Sequence, residues 1–201
     1  MLIFNERNER VNTEYMERPE QELASQFIQP SDIVLELGAR YGSVSCVINS
    51  ILDEKTNQVV VEPDSRVWDA LEKNKIINRA GFYILKGFIS RQKQSLTNLD
   101  VCFGGYGTTS YADENSQIPI YTLEEVEKKV GLKFNVIVAD CEGFLETFFD
   151  ENPDIFSQLR MIIFEADYEE KCDYSKIRVS LGLNGFVEVL GGSQNVWVKY
   201  M

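Results

Sequence analysis

Apolar positions along the chain fall into short unbroken runs that alternate with spaced, one-sided patterns. The runs are Ile33-Val34-Leu35-Glu36-Leu37, Val59-Val60-Val61, Phe82 to Lys86, Val136-Ile137-Val138-Ala139 and Met161-Ile162-Ile163-Phe164. Each has the length of a strand buried on both faces, as in a parallel sheet covered by helices. Between them Val44, Val47, Ile48, Ile51 and Leu52 recur at helical spacing, as do Val67, Trp68, Leu71 and Asn74 and, later, Phe144, Leu145, Phe148 and Phe149. Thr122-Leu123-Glu124-Glu125 has the form of a capping box and predicts a short helix through Val130. A helix carrying Ile177 and Leu181 stops at Asn184-Gly185, and FVEVL, GGSQN and VWVKY then read as strand, turn and strand. Strand followed by amphipathic helix, repeated, predicts βαβ units. The expectation is an α/β fold: a mostly parallel seven-stranded sheet, helices on both faces, and a C-terminal antiparallel hairpin.

Two segments depart from this rhythm. Residues 1–30 are polar with mixed charge, and Pro19 opens a helix with Leu23, Phe27 and Ile28 on one side. This stretch reads as a helical lid or brace on a core of residues 31–201, the two making one domain. Residues 104–117, GGYGTTSYADENSQ, carry no periodicity. A loop of that length inside a compact domain is usually functional or disordered.

Composition narrows the chemistry. Among 201 residues there is no histidine, and Lys+Arg 20 against Asp+Glu 32 leaves a formal charge of −12. The first count excludes Ser-His-Asp and Cys-His catalysis and histidine-ligated metals. The second argues against a nucleic-acid coat, which needs a basic stripe to neutralise phosphates. Cys46, Cys102, Cys141 and Cys172 lie far apart with no C-x-x-C pair, as expected of reduced thiols. No signal-peptide apolar region and no run of about 18 apolar residues occurs, so the expectation is a soluble cytoplasmic protein without a membrane span.

Candidate chemistry lies at the ends of the predicted strands, where open α/β sheets bind ligands. The first strand delivers Glu36 and then the turn Gly38-Ala39-Arg40-Tyr41-Gly42-Ser43, whose glycines suit close approach of a ligand to the main chain. Gly42 opens a helix with free N–H groups. The dinucleotide fingerprint G-x-G-x-x-G is absent, because position 40 is arginine. Glu36 offers a carboxylate to a cationic group. Glu62-Pro63, at the tip of the second strand, places a carboxylate where it can accept from both hydroxyls of a ribose, and Gly87-Phe88-Ile89 then flank an adenine. Asp140-Cys141-Glu142-Gly143 and Glu165 put carboxylates on two further tips. Tyr106, Thr108, Thr109 and Tyr111, in the aperiodic loop, offer rings and hydroxyls to a polyhydroxylated acceptor.

Taken in order, these strings resemble FkbM-type S-adenosylmethionine-dependent methyltransferases. DIVLELGARYGSVSCVI is similar to their opening motif, with Arg40 where asparagine is usual. VVVEPDSRVWDALEKN resembles their ribose-binding strand and helix, and IPIYTLEEV the segment before their fourth strand. VIVADCEGFLETFF resembles their Asp-x-Glu-Gly motif, and RMIIFEAD the strand that follows it. The resemblance implies a Rossmann-like class I methyltransferase fold with S-adenosyl-L-methionine as cofactor. It implies O-methylation of a sugar or glycan hydroxyl, the chain serving alone or as one module of a larger glycan-modifying protein. On this reading Asp140 is the base, and Glu142 or Glu165 orients the acceptor. Asp140 and Glu165 also have the ligand chemistry for Mg²⁺, but a site without metal is favoured. The rival readings are a nicotinamide-dependent oxidoreductase and a non-catalytic binding module on a methyltransferase fold.

Overall fold

The computed structural model describes residues 1–97 and 107–200. Along the chain come α1 (Arg18–Phe27), β1 (Val34–Leu37), α2 (Ser43–Ile51), β2 (Gln58–Glu62), α3 (Trp68–Ile77) and β3 (Tyr83–Lys86). Four short strands follow: β4 (Phe88–Ile89), β5 (Gln94–Leu96), β6 (Ser110–Ala112) and β7 (Ile120–Tyr121). Then come α4 (Leu123–Val130), β8 (Val136–Ala139), α5 (Leu145–Glu151), β9 (Met161–Glu165), α6 (Tyr174–Leu183), β10 (Phe186–Leu190) and β11 (Gln194–Lys199).

The main sheet has seven strands in the order β10-β11-β9-β8-β1-β2-β3. β1 pairs in parallel with β2 and β8, as do β2 with β3 and β8 with β9. Only β11 runs antiparallel, against β9 on one side and β10 on the other. The seven-stranded, mostly parallel sheet with its closing hairpin is the one expected from the apolar runs.

Alternation within each run explains why both faces are apolar. Leu35, Leu37, Val59, Val61, Ile137 and Phe164 join one buried cluster with Val126, Phe148 and Leu181 of α4, α5 and α6. Val34, Val136, Val138 and Ile163 point the other way, onto Leu23 of α1 and Ile48 of α2. The α4 cap forms as its sequence predicts: Thr122 Oγ1 accepts from the Glu125 amide at 3.2 Å, and the Glu125 carboxylate accepts from the Thr122 amide at 2.8 Å. Residues 1–17 lie against the β1–α2 turn, with Ile3 and Val11 buried beside Ala39, Tyr41 and Leu71.

Among the described residues of the aperiodic stretch 104–117, β6 is a strand that the lack of periodicity does not predict. β5 and β6 form an antiparallel pair, and β4 runs parallel to β7. Strands of two or three residues are too short to show a period of two. Among the described residues, no helix is long and apolar enough to cross a membrane. Cys46, Cys141 and Cys172 are free thiols, and Cys102 lies outside the described residues.

Topology positions the site. After β1 the chain winds outward through β2 and β3, then crosses back to β8 on β1's other side. The strand order therefore reverses between β1 and β8, which leaves a crevice beyond their carboxyl ends.

Candidate active site

Gly38 and Asp140 face each other across that crevice. Gly38 has φ +88°, and a Cβ there would lie 1.7 Å from the Asp140 carbonyl oxygen. Glycine is required here so that the tips of β1 and β8 can close on one another; the main chain that approaches is the protein's own. The turn beyond is sewn to β2, with the Gly38 and Ala39 amides donating to the Val61 carbonyl at 3.0 and 3.1 Å. Gly87, at φ +139°, plays a similar part, since its Cβ would lie 2.2 Å from the Pro119 carbonyl oxygen.

The acids of the β1–β2 side are buried and supplied with donors. Glu36 accepts from Ser45 Oγ at 2.7 Å and from Gln58 Nε2 at 2.9 Å. Burial, the larger influence, lifts its pKa to about 8 against the pull of those bonds. Glu62 accepts from the Arg40 amide at 2.6 Å and the Asp64 amide at 2.7 Å. Burial likewise raises it, to about 7. Each carboxylate oxygen has two lone pairs, so Glu62 keeps acceptor capacity toward the cleft it lines.

That cleft encloses about 760 Å³, open solvent at its mouth included. Pro63, Val67, Phe88, Ile89, Leu96 and Phe144 form its apolar walls, and Glu62, Asp64, Arg40 and Gly38 its polar edge. Phe88 and Phe144 close one end with ring centroids 5.3 Å apart. Ala39, Tyr41 and Ser43 stand behind the turn. Ala39 and Tyr41 pack into the core, Tyr41 hydroxyl donates to Glu6, and Ser43 hydroxyl donates to Glu17.

The β8–β9 side is different. Asp140, Glu165 and Asp167 each place an oxygen within 4.8 Å of the others. The charges of Glu165, Glu142 and Asp167 act on Asp140, and that of Asp167 acts on Glu142 and Glu165. Few donors reach them: the Gly107 amide donates to Glu142 at 3.1 Å, and Tyr174 hydroxyl to Asp167 at 3.1 Å. Among the described residues no lysine or arginine forms an ion pair with these four. Desolvation and then the charges of Glu165, Glu17, Glu142 and Asp167 hold Asp140 well above the usual carboxylate range. Burial and the Asp167 contact raise Glu142 to about 8, and burial with the Glu20 charge raises Glu165. These are proton-retaining carboxyls gathered at two strand tips. Cys141 between them is no rival nucleophile, because burial pushes its thiol further up.

Ser110, Glu142 and Phe144 are shared with a second, more open groove lined by Gln92, Gln94, Tyr111 and Thr147. Tyr111 is 48% exposed there. Thr109 turns away, buried with its hydroxyl 2.6 Å from that of Thr97, and Thr108 Oγ1 accepts from Arg66 at 3.5 Å. Tyr106 lies outside the described residues. Lys86, on β3, pairs with Glu72 at 2.5 Å. Glu17 and Gln94 line these spaces without any local sequence signal, being brought in by segments distant in the chain.

No protein-family model matches the sequence, and no curated protein is similar to it. The likeness is structural. Precorrin-6y C5,15-methyltransferase of Geobacter metallireducens GS-15 matches 90% of this chain and 87% of its own, with a TM-score of 0.57 at 11% identity. An rRNA methylase of Streptococcus thermophilus matches 91% and 95%, with a TM-score of 0.55 at 8% identity. Magnesium protoporphyrin IX methyltransferase of Synechocystis PCC 6803, with SAM bound, matches 94% and 79%, with a TM-score of 0.53 at 10% identity. The fold is therefore the Rossmann-like fold of the class I methyltransferases. Those three proteins are named for unlike acceptors, so the shared fold carries no acceptor with it, and the narrower FkbM resemblance rests on the motifs alone.

Proposed function

We propose that this chain is an S-adenosylmethionine-dependent O-methyltransferase of FkbM type, acting in the cytoplasm on a carbohydrate hydroxyl. The observation that carries the proposal is the Asp140–Glu165 carboxyl pair, raised in proton affinity and set at the crevice between β1 and β8. The residues present fit the cofactor. Glu62 has lone pairs for ribose hydroxyls, Pro63, Val67, Phe88 and Ile89 offer apolar faces to an adenine, and the acids at the far end suit a cationic centre. Glu36 serves this site from behind, tying α2 to β2 through Ser45 and Gln58 beneath the glycine turn.

When bound, S-adenosylmethionine supplies an electrophilic methyl group. The chain's own part is to orient an acceptor hydroxyl and to take its proton. Asp140 is the acceptor of that proton, and Glu165, with an oxygen within 4.8 Å of it, or Glu142 orients the acceptor hydroxyl. A carboxylate of ordinary pKa is a weak base for an alcohol, and the raised value brings it closer to the working range of a general base. The adjoining groove presents amides, the hydroxyl residues Ser110 and Thr147, an exposed tyrosine ring and Glu142, the mixture that suits a sugar. Its carboxylates and the net charge of −12 disfavour a polyanionic acceptor such as RNA. Calorimetric titration with S-adenosylhomocysteine tests the reading: saturable heat is expected, and none at millimolar ligand overturns it. A panel of methylated-sugar assays then tests the acceptor class.

A further inference from the structure

The first seventeen residues are gripped along α3 and folded back across the cofactor turn. Asn74 accepts from the Phe4 amide at 2.9 Å and donates to the Phe4 and Tyr41 carbonyls at 2.8 and 2.9 Å. Asn78 holds Leu2 in the same two-sided way, at 3.0 and 2.7 Å. Further along the segment Glu6 accepts from Tyr41, and Glu17 accepts from Ser43 in the first turn of α2. Glu17 caps α1 in the left-handed region, with φ 49° and ψ 30°. A non-glycine residue is kept there only where its surroundings dictate it.

What this conformation achieves is placement. Glu17 lines the cleft beside Gly38, Glu62 and Asp140, and also the smaller space running on to Glu36 and Glu165. It stands where the nucleoside end of the cleft meets the acid-lined end. Its charge acts on Glu36, Asp140 and Glu165 alike. A carboxylate at that junction, next to a serine hydroxyl, has the chemistry to take a primary ammonium.

We propose that Glu17 is the residue that recognises the α-ammonium of the cofactor, delivered to the cleft by the folded-back N-terminal segment. The assignment rests on the cofactor reading above, and S-adenosylhomocysteine and 5′-methylthioadenosine test it apart from turnover. Both carry the same nucleoside and sulfur, and only the first has the amino-acid end.

In calorimetry on the full chain, Glu17→Gln is expected to weaken S-adenosylhomocysteine roughly tenfold or more, the worth of one charge-assisted hydrogen bond. Binding of 5′-methylthioadenosine should hardly change. Glu6→Gln, on the same segment, should leave the ratio of the two affinities as it is. Unchanged homocysteine-ligand binding in Glu17→Gln overturns the assignment, and so does an equal loss for both ligands, which marks a purely structural role. A ligand-side test needs no variant. N-acetyl-S-adenosylhomocysteine should bind the unmutated chain about as weakly as 5′-methylthioadenosine, and affinity equal to that of the free amine overturns the proposal. An unmutated chain that binds neither nucleoside overturns the cofactor reading itself and this assignment with it.

Discussion

The acids at the two ends of the crevice differ in burial and in company: Glu36 and Glu62 are buried, whereas Asp140, Glu142, Glu165 and Asp167 are partly exposed. Glu36 and Glu62 each receive two hydrogen bonds from fixed donors: a serine and a glutamine for the first, two backbone amides for the second. Asp140, Glu142, Glu165 and Asp167 mainly face one another. A buried carboxylate with donors acts as a joint, because its cost of desolvation is offset by bonds that hold the surrounding turn. Where the neighbours are mostly other carboxyls, their charges add to desolvation in raising Asp140, Glu142 and Glu165, and a raised carboxyl that is open to the cleft is suited to proton transfer. Under the function proposed above, the first pair belongs to a binding end and the second group to a reacting end of one crevice.

The largest expected effect strikes the reacting end. Asp140→Asn preserves shape and removes the proton acceptor, so turnover should fall by about 10²–10⁴-fold. Affinity for S-adenosylhomocysteine should stay within a few-fold, and single-turnover kinetics beside calorimetry separates the two readouts. Undiminished turnover would dissolve the distinction between the two ends.

At the binding end the corresponding change should act on fold and affinity instead. Glu62→Gln keeps one acceptor oxygen and turns an amide NH₂ toward either the Arg40 or the Asp64 amide, so one donor faces another. Leaving such a buried donor unmatched costs roughly 1–3 kcal/mol. Thermal melting should show that loss, and cofactor-product affinity should fall with it. Glu165→Gln is the counterpart, since it removes a like charge from a crowded cluster. It should leave melting unchanged or raise it. Equal destabilisation by both substitutions would break the comparison.

How much of this the sequence disclosed depends on range. The strands were legible because runs such as Val59-Val60-Val61 are apolar on both faces, and the α4 cap because Thr122 and Glu125 interact within one turn. Glu62 and Asp140 were legible because a parallel sheet sends every strand end to the same edge. Their partners were not: nothing local says that Gln58, twenty-two residues on, donates to Glu36. Glu17 is invisible for the same reason, since nothing local says that its segment returns to the β1–α2 turn. Thr109 shows the limit of composition. A hydroxyl in a loop suggests a ligand, and only the pairing of β5 with β6 shows it turned inward to Thr97.

Stability against pH probes the binding end more gently. Glu36 and Glu62 hold protons in the folded chain up to about 8 and about 7, well above their unfolded values. The folded state therefore binds more protons than the unfolded one across that interval. Stability from these two acids is complete below about pH 4.5 and is lost as pH rises through 7 and 8. Glu36→Gln removes one titrating group while Ser45 can turn its hydroxyl to suit. Denaturant titrations should show the variant gaining roughly 3–4 kcal/mol on the wild type between pH 5 and 8. A constant difference across that range would mean that Glu36 is ionised throughout.

The smallest effect is a displacement along the pH axis. In the wild type, methyl transfer should rise with pH as Asp140 loses its proton, because only the ionised form accepts one from the acceptor hydroxyl. Part of what holds that proton is the charge of Glu165. Glu165→Gln removes the charge and offers an amide donor to the ionised Asp140, and both changes favour proton loss. The rising limb should move to lower pH by about one unit, the scale of a like-charge contact weakened by partial solvent exposure. Glu36→Gln, altering an acid on the other side with its own donors, should leave the limb in place. A shift from both variants would mean that the two ends titrate as one, whereas a shift from Glu165→Gln alone assigns the limb to the reacting end.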